Sequence, residues 1–416
     1  MLLPAVLLVH LAAHAQNDTL RFATYNLLNY GNSANRPSVK NPNLSIVLNF
    51  IKPDLIGFNE ISSALPALQD SLQLAFPYSM QHGALYNTTG TTQMNALFFR
   101  AGKFILLKDS SIYSELRDIV VYDLMYNDQL LSVFHDTIRL KVIVAHFKAS
   151  NTGADKSKRN LEAQAISNYL DFLNQDANYV VMGDLNLYKS SELAYQTMIN
   201  PPNSKARLND PLDMAGDWDD DSSFSLLHTQ SPRNNNLGDG GASGGLDSRF
   251  DFILVSDAVL NGSKGIRYAA GTYHTVGNDG LHFNKSMNDL PENMAAPAPV
   301  IAALYQHADH LPVAADFVFT PNHALAVAAT TVPGAALPFS IQNPVRVDGA
   351  GLNWSATATG PFQYQLYDAT GRCLQRGHIA PTQNKLDMAP VSTAGMYLLS
   401  VMDQAGHRFT YRLQRL

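Results

Sequence analysis

Residues Val180-Val181-Met182-Gly183-Asp184-Leu185-Asn186 constrain this chain more than any other stretch: an apolar run, a glycine, then two short oxygen-bearing side chains. Such a run reads as a strand buried on both faces, and a strand of that kind needs a second sheet or helices to cover it. The Gly-Asp-x-Asn end either closes the strand in an Asp/Asn turn or holds a carboxylate and an amide at the rim of a cleft. The chemistry at the other strand ends decides between these.

Further strands follow the same plan. Leu20 to Asn26 alternates strand formers and runs into an Asn/Gly-rich loop, and Asp54 to Ile61 is a short apolar strand with Glu60 at its end. Between them Leu44, Val47, Leu48 and Ile51 recur at helical spacing until Lys52-Pro53 stops the helix. A second helix is expected over 62–74. Ala96–Phe99 and Phe104–Leu107 read as a strand pair around Ala101-Gly102, and strands are expected over 117–126, 130–134 and 138–145, the last ending at His146-Phe147-Lys148. Residues 155–173 carry the best helical pattern, with Leu161, Ala165, Tyr169, Phe172 and Leu173 on one side. A strand over 249–255 contains Asp251, and Asp309-His310 precedes a last strand through Phe317. The Gly, Asn and Ser content of 231–245 and the irregular stretch 277–299 read as mobile surface loops.

A hydrophobic fraction of 46% with 15% charged residues is that of an ordinary globular protein. The formal net charge of -6 supplies no global basic field, which argues against a tight duplex binder and leaves a transiently binding enzyme open. Met1 to Ala15 is an apolar run ending Ala13-His14-Ala15, as a signal peptide (residues 1–15) would, although no Lys or Arg precedes it; a buried N-terminal helix is the alternative. No other stretch reaches the roughly 18 apolar residues of a membrane span. Cys373 is the only cysteine, so no internal disulfide forms.

Polar side chains close five strand ends: Asn26, Glu60, His146, Asp184 with Asn186, and Asp309 with His310; Asp251 sits inside a strand, where a carboxylate is costly unless paired. Each has a bland explanation, such as a helix cap for Glu60, a satisfied core histidine for His146 or a surface-facing strand residue for Asp251. Together they point to one cleft. The ordered motifs Tyr25-Asn26, Pro53-Asp54 through Gly57 to Glu60, His146-Phe147-Lys148, Gly183-Asp184-Leu185-Asn186, Arg249-Phe250-Asp251-Phe252-Ile253-Leu254 and Asp309-His310-Leu311-Pro312-Val313 resemble the endonuclease/exonuclease/phosphatase family, metal-dependent phosphoesterases that include DNase I. The resemblance covers about residues 20–320.

It implies a four-layer α/β sandwich, two mixed sheets face to face and flanked by helices, with the strand ends forming one cleft. Glu60 would be the main Mg²⁺ ligand, with Asn26 and Asp309 nearby; Mn²⁺ or Ca²⁺ are alternatives, and no Cys cluster or His pair stands at zinc spacing. His310, set by Asp251, would bind phosphate and act as acid or base, while Asp184 and Asn186 orient the attacking water and the scissile phosphate; whether Asp184 or His310 is the base stays open. His146 resembles the second histidine of the DNase I branch. That branch pairs this histidine with a glutamate, and here the only acidic residue between Ile61 and Lys108 is Asp70. Tyr113, Tyr122 and Tyr126 are candidates for a phosphate-binding tyrosine, and Arg117 and Arg159 for phosphate-steadying arginines. Lys148, Lys156, Lys158 and Arg159 form a basic cluster, or else a solvated helix start.

Beyond Pro321 an Ala/Val/Thr-rich linker (321–339) leads to short, turn-separated strands over 340–416, the pattern of a small β-sandwich. Asn343-Pro344, Leu366 to Arg372 and Ala394 to Leu399 resemble the C-terminal sorting domain of the type IX secretion system, with a carbohydrate- or protein-binding sandwich as the alternative. The expectation is therefore a secreted or cell-surface phosphodiesterase, foremost a nuclease acting on extracellular nucleic acid. A sugar-phosphate or lipid phosphoesterase and an idle surface binding protein are the rivals.

Overall fold

The computed structural model describes residues 17–62, 68–128, 137–321, 338–345, 349–356, 358, 360–368, 372–388, 395–404 and 407–415. Described residues up to Pro321 form one compact unit and those from 338 onward another. The expected signal peptide, the strand over 130–134 and most of the expected linker lie outside the described residues.

The first strands of the larger unit are β1 (Asp18–Tyr30), β2 (Leu55–Ser62), β3 (Met80–His82), β4 (Gln93–Arg100), β5 (Phe104–Ile112), β6 (Ile119–Tyr126) and β7 (Arg139–His146). Then come β8 (Tyr179–Asp184), β9 (Leu208–Asn209), β10 (Asp251–Ser256), β11 (Ile266–Tyr268), β12 (His274–Thr275) and β13 (Val313–Phe319). They build two mixed sheets, one ordered β11-β13-β1-β2-β4-β3 with β12 against β13, the other β5-β6-β7-β8-β10-β9. Its helices are α1 (Pro37–Ile51), α2 (Leu68–Gln73), α3 (Gly153–Leu173), α4 (Leu193–Ile199), α5 (Asp257–Asn261) and α6 (Ala298–His307).

The expected four layers are present because the central strands are apolar on both faces. Val180 and Met182 of β8 and Ile253 and Val255 of β10 fill the space between the sheets with Phe22, Leu55 and Leu97. Their neighbours Val181, Phe252 and Leu254 pack outward against Ala163, Ile166 and Leu170 of α3 and Met198 of α4. On the far side Tyr25, Leu27 and Phe58 meet Leu44, Val47, Leu48 and Ile51 of α1 and Leu304 of α6. Period-two alternation thus sorts one strand's side chains into two cores.

Four expectations need correcting. β4 and β5 are not a hairpin: β4 pairs with β2 and β3, whereas β5 pairs with β6 in the other sheet. The turn between them crosses from sheet to sheet, and Leu97, Phe99 and Phe104 share the core between the two. In the second helix, Ser62 belongs to β2, and among the described residues α2 covers Leu68–Gln73. Helix α3 buries only part of the expected face: Ala165, Tyr169 and Leu173 pack against the core, but Leu161 is 54% and Phe172 85% exposed, while Arg159, Glu162, Ala163, Ile166 and Leu170 are buried. Hydropathy alone misses that face because two of its members are charged and find partners inside. Finally, the stretch 277–299 expected as irregular ends inside a helix, because α6 starts at Ala298; Pro299 stands in its first turn, where a missing N–H costs nothing.

The smaller unit pairs β14 (Phe339–Ile341), β15 (Ala350–Trp354) and β18 (Lys385–Leu386) in one antiparallel sheet. The other is ordered β17-β16-β19-β20, from β16 (Phe362–Asp368), β17 (Cys373–Ile379), β19 (Gly395–Met402) and β20 (Arg408–Arg415). Here alternate residues only are buried: Phe362, Tyr364 and Leu366, then Tyr397, Leu399 and Val401, then Phe409, Tyr411 and Leu413.

Candidate active site

Sheet register brings the polar strand ends to one place. β1 and β2 run parallel with Asn26 level with Asn59, one residue before Glu60. In the other sheet β7 and β8 run parallel with His146 level with Asp184, and antiparallel β10 sets Asp251 opposite Asp184. Glu60 and Asn186 have φ of 59° and 48°, a left-handed conformation that non-glycine residues rarely adopt and that often marks functional sites. Gly183 has φ 140°, and a Cβ there would lie 1.9 Å from the Ala145 carbonyl oxygen, so no larger residue fits between β7 and β8.

The two sheets are stitched together by Asn59, which sequence reasoning did not single out. Its Oδ1 accepts from the Asp184 N–H at 2.9 Å, and its Nδ2 donates to the Ala145 carbonyl at 3.0 Å and to Asn95 Oδ1 at 2.8 Å. The available signal was an amide inside the apolar run Leu55–Ile61. Asn26 makes the second cross-sheet tie, donating from Nδ2 to Asp184 Oδ2 at 3.0 Å while its Oδ1 accepts from the Leu28 N–H. Asp184 Oδ1 accepts from the Asn186 N–H, and Asn186 Nδ2 donates to the Phe147 carbonyl. The carboxylate is thereby held by two donors, and its backbone N–H by Asn59.

Asp251 is fully buried and accepts from His310 Nδ1 at 2.7 Å, so the surface-facing alternative fails. His310 Nε2 stands 3.7 Å from Asp184 Oδ2. Burial lowers the His310 pKa, but Asp251 and Asp184 outweigh it and carry the group well above its ordinary value. Burial is also the main force raising Asp184, with Asp251 and Glu60 adding to it and His310 opposing. Gln230 Nε2 lies 2.7 Å from His310 Nε2 and 3.3 Å from Asp309 Oδ2. A donating amide there needs an unprotonated Nε2, whereas the surrounding carboxylates favour the imidazolium. The contact to Asp309 holds the amide in its donating orientation, so Gln230 favours the neutral ring while Asp251 and Asp184 favour the imidazolium.

On the opposite wall Glu60 Oε2 accepts from the Asn29 N–H at 3.0 Å. Burial, then Asp309, raises the Glu60 pKa, as expected of two carboxylates that share one pocket. Gln93 donates to Asn29 Oδ1 and accepts from Arg117 Nε, whose Nη1 reaches the His146 and Phe147 carbonyls. His146 Nε2 is 3.4 Å from Asp184 Oδ2 and 3.9 Å from Glu60 Oε1, which supplies the acidic neighbours the sequence could not. Burial first, then Arg117, depresses its pKa well below the ordinary value, so it is a neutral imidazole with Nδ1 unpartnered.

Other expectations are corrected. Residues 231–245 are tied to the site: the Ala242 N–H donates to Asp309 Oδ2 at 2.7 Å, and buried Arg233 grips Asp239 at 3.0 and 2.9 Å. In the other loop, Asn293 clasps the Gly277 carbonyl and His282 pairs with Asp279. Arg159 is fully buried against Glu192 and the Lys148 and Ser150 carbonyls, unavailable to a phosphate. Tyr122 and Tyr126 spend their hydroxyls on the Ala84 carbonyl and Asp18, while Tyr113 is 70% exposed.

Solved structures of endonuclease/exonuclease/phosphatase proteins are this chain's structural neighbours. One from Bacteroides thetaiotaomicron is 17% identical, covers 73% of this chain and 96% of its own, and has a TM-score of 0.46. Another from Bacteroides vulgatus is 16% identical over 73% and 99%, with a TM-score of 0.47. The human Nocturnin catalytic domain, with bound sulfate, is 15% identical over 73% and 98%, with a TM-score of 0.43. No protein-family model and no curated relative matches the chain.

The donor set can be judged against a cation. Among the described residues no three His, Cys, Asp or Glu side chains converge closely enough to enclose a metal. Mg²⁺ does not require that, because it binds through one or two carboxylates and keeps several waters. Glu60 and Asp309, two carboxylates whose proximity raises Glu60, with the amide oxygen of Asn26, fit such a site.

Proposed function

We propose that this chain is an exported, Mg²⁺-dependent phosphodiesterase acting on nucleic acid. The observation that supports it is the convergence, from two sheets, of a buried Asp251–His310 pair on Asp184 beside Glu60 and Asp309. Asp184, raised toward the working pH range by burial, takes the proton of the attacking water, with Asn186 orienting it. His310, held cationic by Asp251, binds the phosphoryl oxygens and donates toward the leaving oxygen. His146, neutral, donates a hydrogen bond from the facing wall. Glu60 and Asp309, with Asn26, would hold Mg²⁺, or Mn²⁺ or Ca²⁺, which when bound neutralises charge on the phosphate.

Hydrolysis of bis(p-nitrophenyl) phosphate, plasmid DNA and RNA should require Mg²⁺ and stop with chelator. Glu60→Ala and His310→Ala should each lose about a thousandfold in kcat/KM. Chelator-resistant activity, or full activity in either variant, overturns the mechanism; hydrolysis of sphingomyelin or inositol phosphates alone moves the substrate class. Export rests on the signal peptide and the tail as cargo for the type IX secretion machinery. Deleting 340–416 should retain the protein in the cell envelope, and unchanged release would refute that.

A further inference from the structure

Beside the site, two depressions flank α3. The first, about 220 Å³, is lined by Tyr113, Glu115, Leu116, Lys158, Leu161 and Glu162. That is smaller than a drug-sized pocket and suits a single ring system. The second, about 470 Å³, lies across Leu161 and is lined by Leu193 with Lys156 and Lys189. Tyr113, Leu161 and Leu193 are 70%, 54% and 65% exposed, so three of the large apolar side chains left in solvent gather around these hollows. Single exposed apolar residues need no explanation; a row of them interleaved with lysines does.

The row is joined to the site by short connections. Glu162 Oε2 accepts from the Lys148 N–H at 2.8 Å, two residues beyond His146. Ser114, on the wall of the first hollow, is three residues before Arg117, which donates to the His146 and Phe147 carbonyls. Three residues of chain span at most about 10 Å. The first hollow is therefore linked to the cleft through Arg117 and through the Glu162–Lys148 contact.

We propose that the two hollows form a track for a single-stranded nucleic acid, one base against Tyr113 and Leu161, the next across Leu161 against Leu193, and the lysines on the phosphates. This rests on the phosphodiesterase reading and names its substrate class. Alternating ring faces and cations is the pattern by which single strands bind without sequence readout. Hollows that set an exposed aromatic ring beside lysines suit a base and its phosphate better than an uncharged acyl chain.

Fluorescence anisotropy with a labelled single-stranded DNA, in chelator so that nothing is cleaved, tests it. Tyr113→Ala should weaken binding about tenfold, and Tyr113→Phe, which keeps the ring, should bind like wild type. An abasic strand of equal length should bind wild type about tenfold more weakly than the normal strand. Lys156→Ala with Lys189→Ala should lower the salt dependence of binding. Equal affinity for the abasic strand, no effect of Tyr113→Ala, or binding to phosphatidylglycerol vesicles with none to DNA overturns the track. Because the readout is binding, Tyr113-dependent binding without diester hydrolysis fails the catalytic reading alone, and hydrolysis without Tyr113-dependent binding fails the track alone.

Discussion

The larger and smaller units bury their strands in opposite ways. In the smaller, β16, β19 and β20 alternate strictly and, among the described residues, nothing polar except tyrosine is buried in its core. In the larger, central strands are apolar on both faces, and buried polar side chains are numerous, at strand ends and in helices and loops. A one-sided sheet can turn its polar residues to water, whereas a two-sided one must place them at its ends or pair them inside. Part of the buried polarity of the larger unit is paired inside, as Arg159 is with Glu192 and Arg249 with Asp210, and the part gathered at the strand ends forms the candidate site. The smaller unit carries no such network among its described residues.

Breaking one tie in each unit should show this contrast. Gly183→Ala drives a Cβ to 1.9 Å from the Ala145 carbonyl at a φ of 140°; we expect a loss of about 4 kcal/mol or more by denaturant unfolding. Asn59→Leu leaves the buried Asp184 N–H and Ala145 carbonyl without their partner and should cost about 3 kcal/mol. Its activity should fall further than its stability explains, since Asp184 loses its anchor.

The third test uses pH. Burial pushes the Glu162 carboxyl from 4.5 up to about 7. The fold thus favours its protonated form: the stabilisation is fully present below about pH 4.5 and is lost as pH rises to about 7. Between about pH 5 and about pH 8 wild type should lose about 2 kcal/mol more than Glu162→Gln. Equal slopes would show that Glu162 is ionised throughout. The smallest effect belongs to the smaller unit: Gly351→Ala meets only the Gln342 side chain, at 3.1 Å, and should stay within about 0.5 kcal/mol.

Much of this arrangement was legible in the chain. Val180 to Asn186, Glu60 and Asp309-His310 announced polar strand ends because local periodicity reports burial directly. Helix α3 was misread because Arg159 and Glu162 face inward, which no hydropathy pattern anticipates when the partners are Glu192 and the Lys148 backbone. The stretch 231–245 was misread for a related reason: Gly and Asn content signals turns, not whether a turn's N–H is needed by a carboxylate elsewhere, as Ala242 is by Asp309.

What the sequence determined by itself was a set of strands apolar on both faces and the inventory of polar groups at their ends, since both follow from short-range patterning; the four-layer arrangement was what the family resemblance implied. What only the tertiary structure decided was which of these groups touch and in what protonation state. Asn59 meets Asp184 across 125 positions, Gln230 meets His310 across 80, and Asp251 meets His310 across 59. Hydrogen-bond partners and desolvation are set by register between sheets, and register is a property of the packed chain, not of any segment within it.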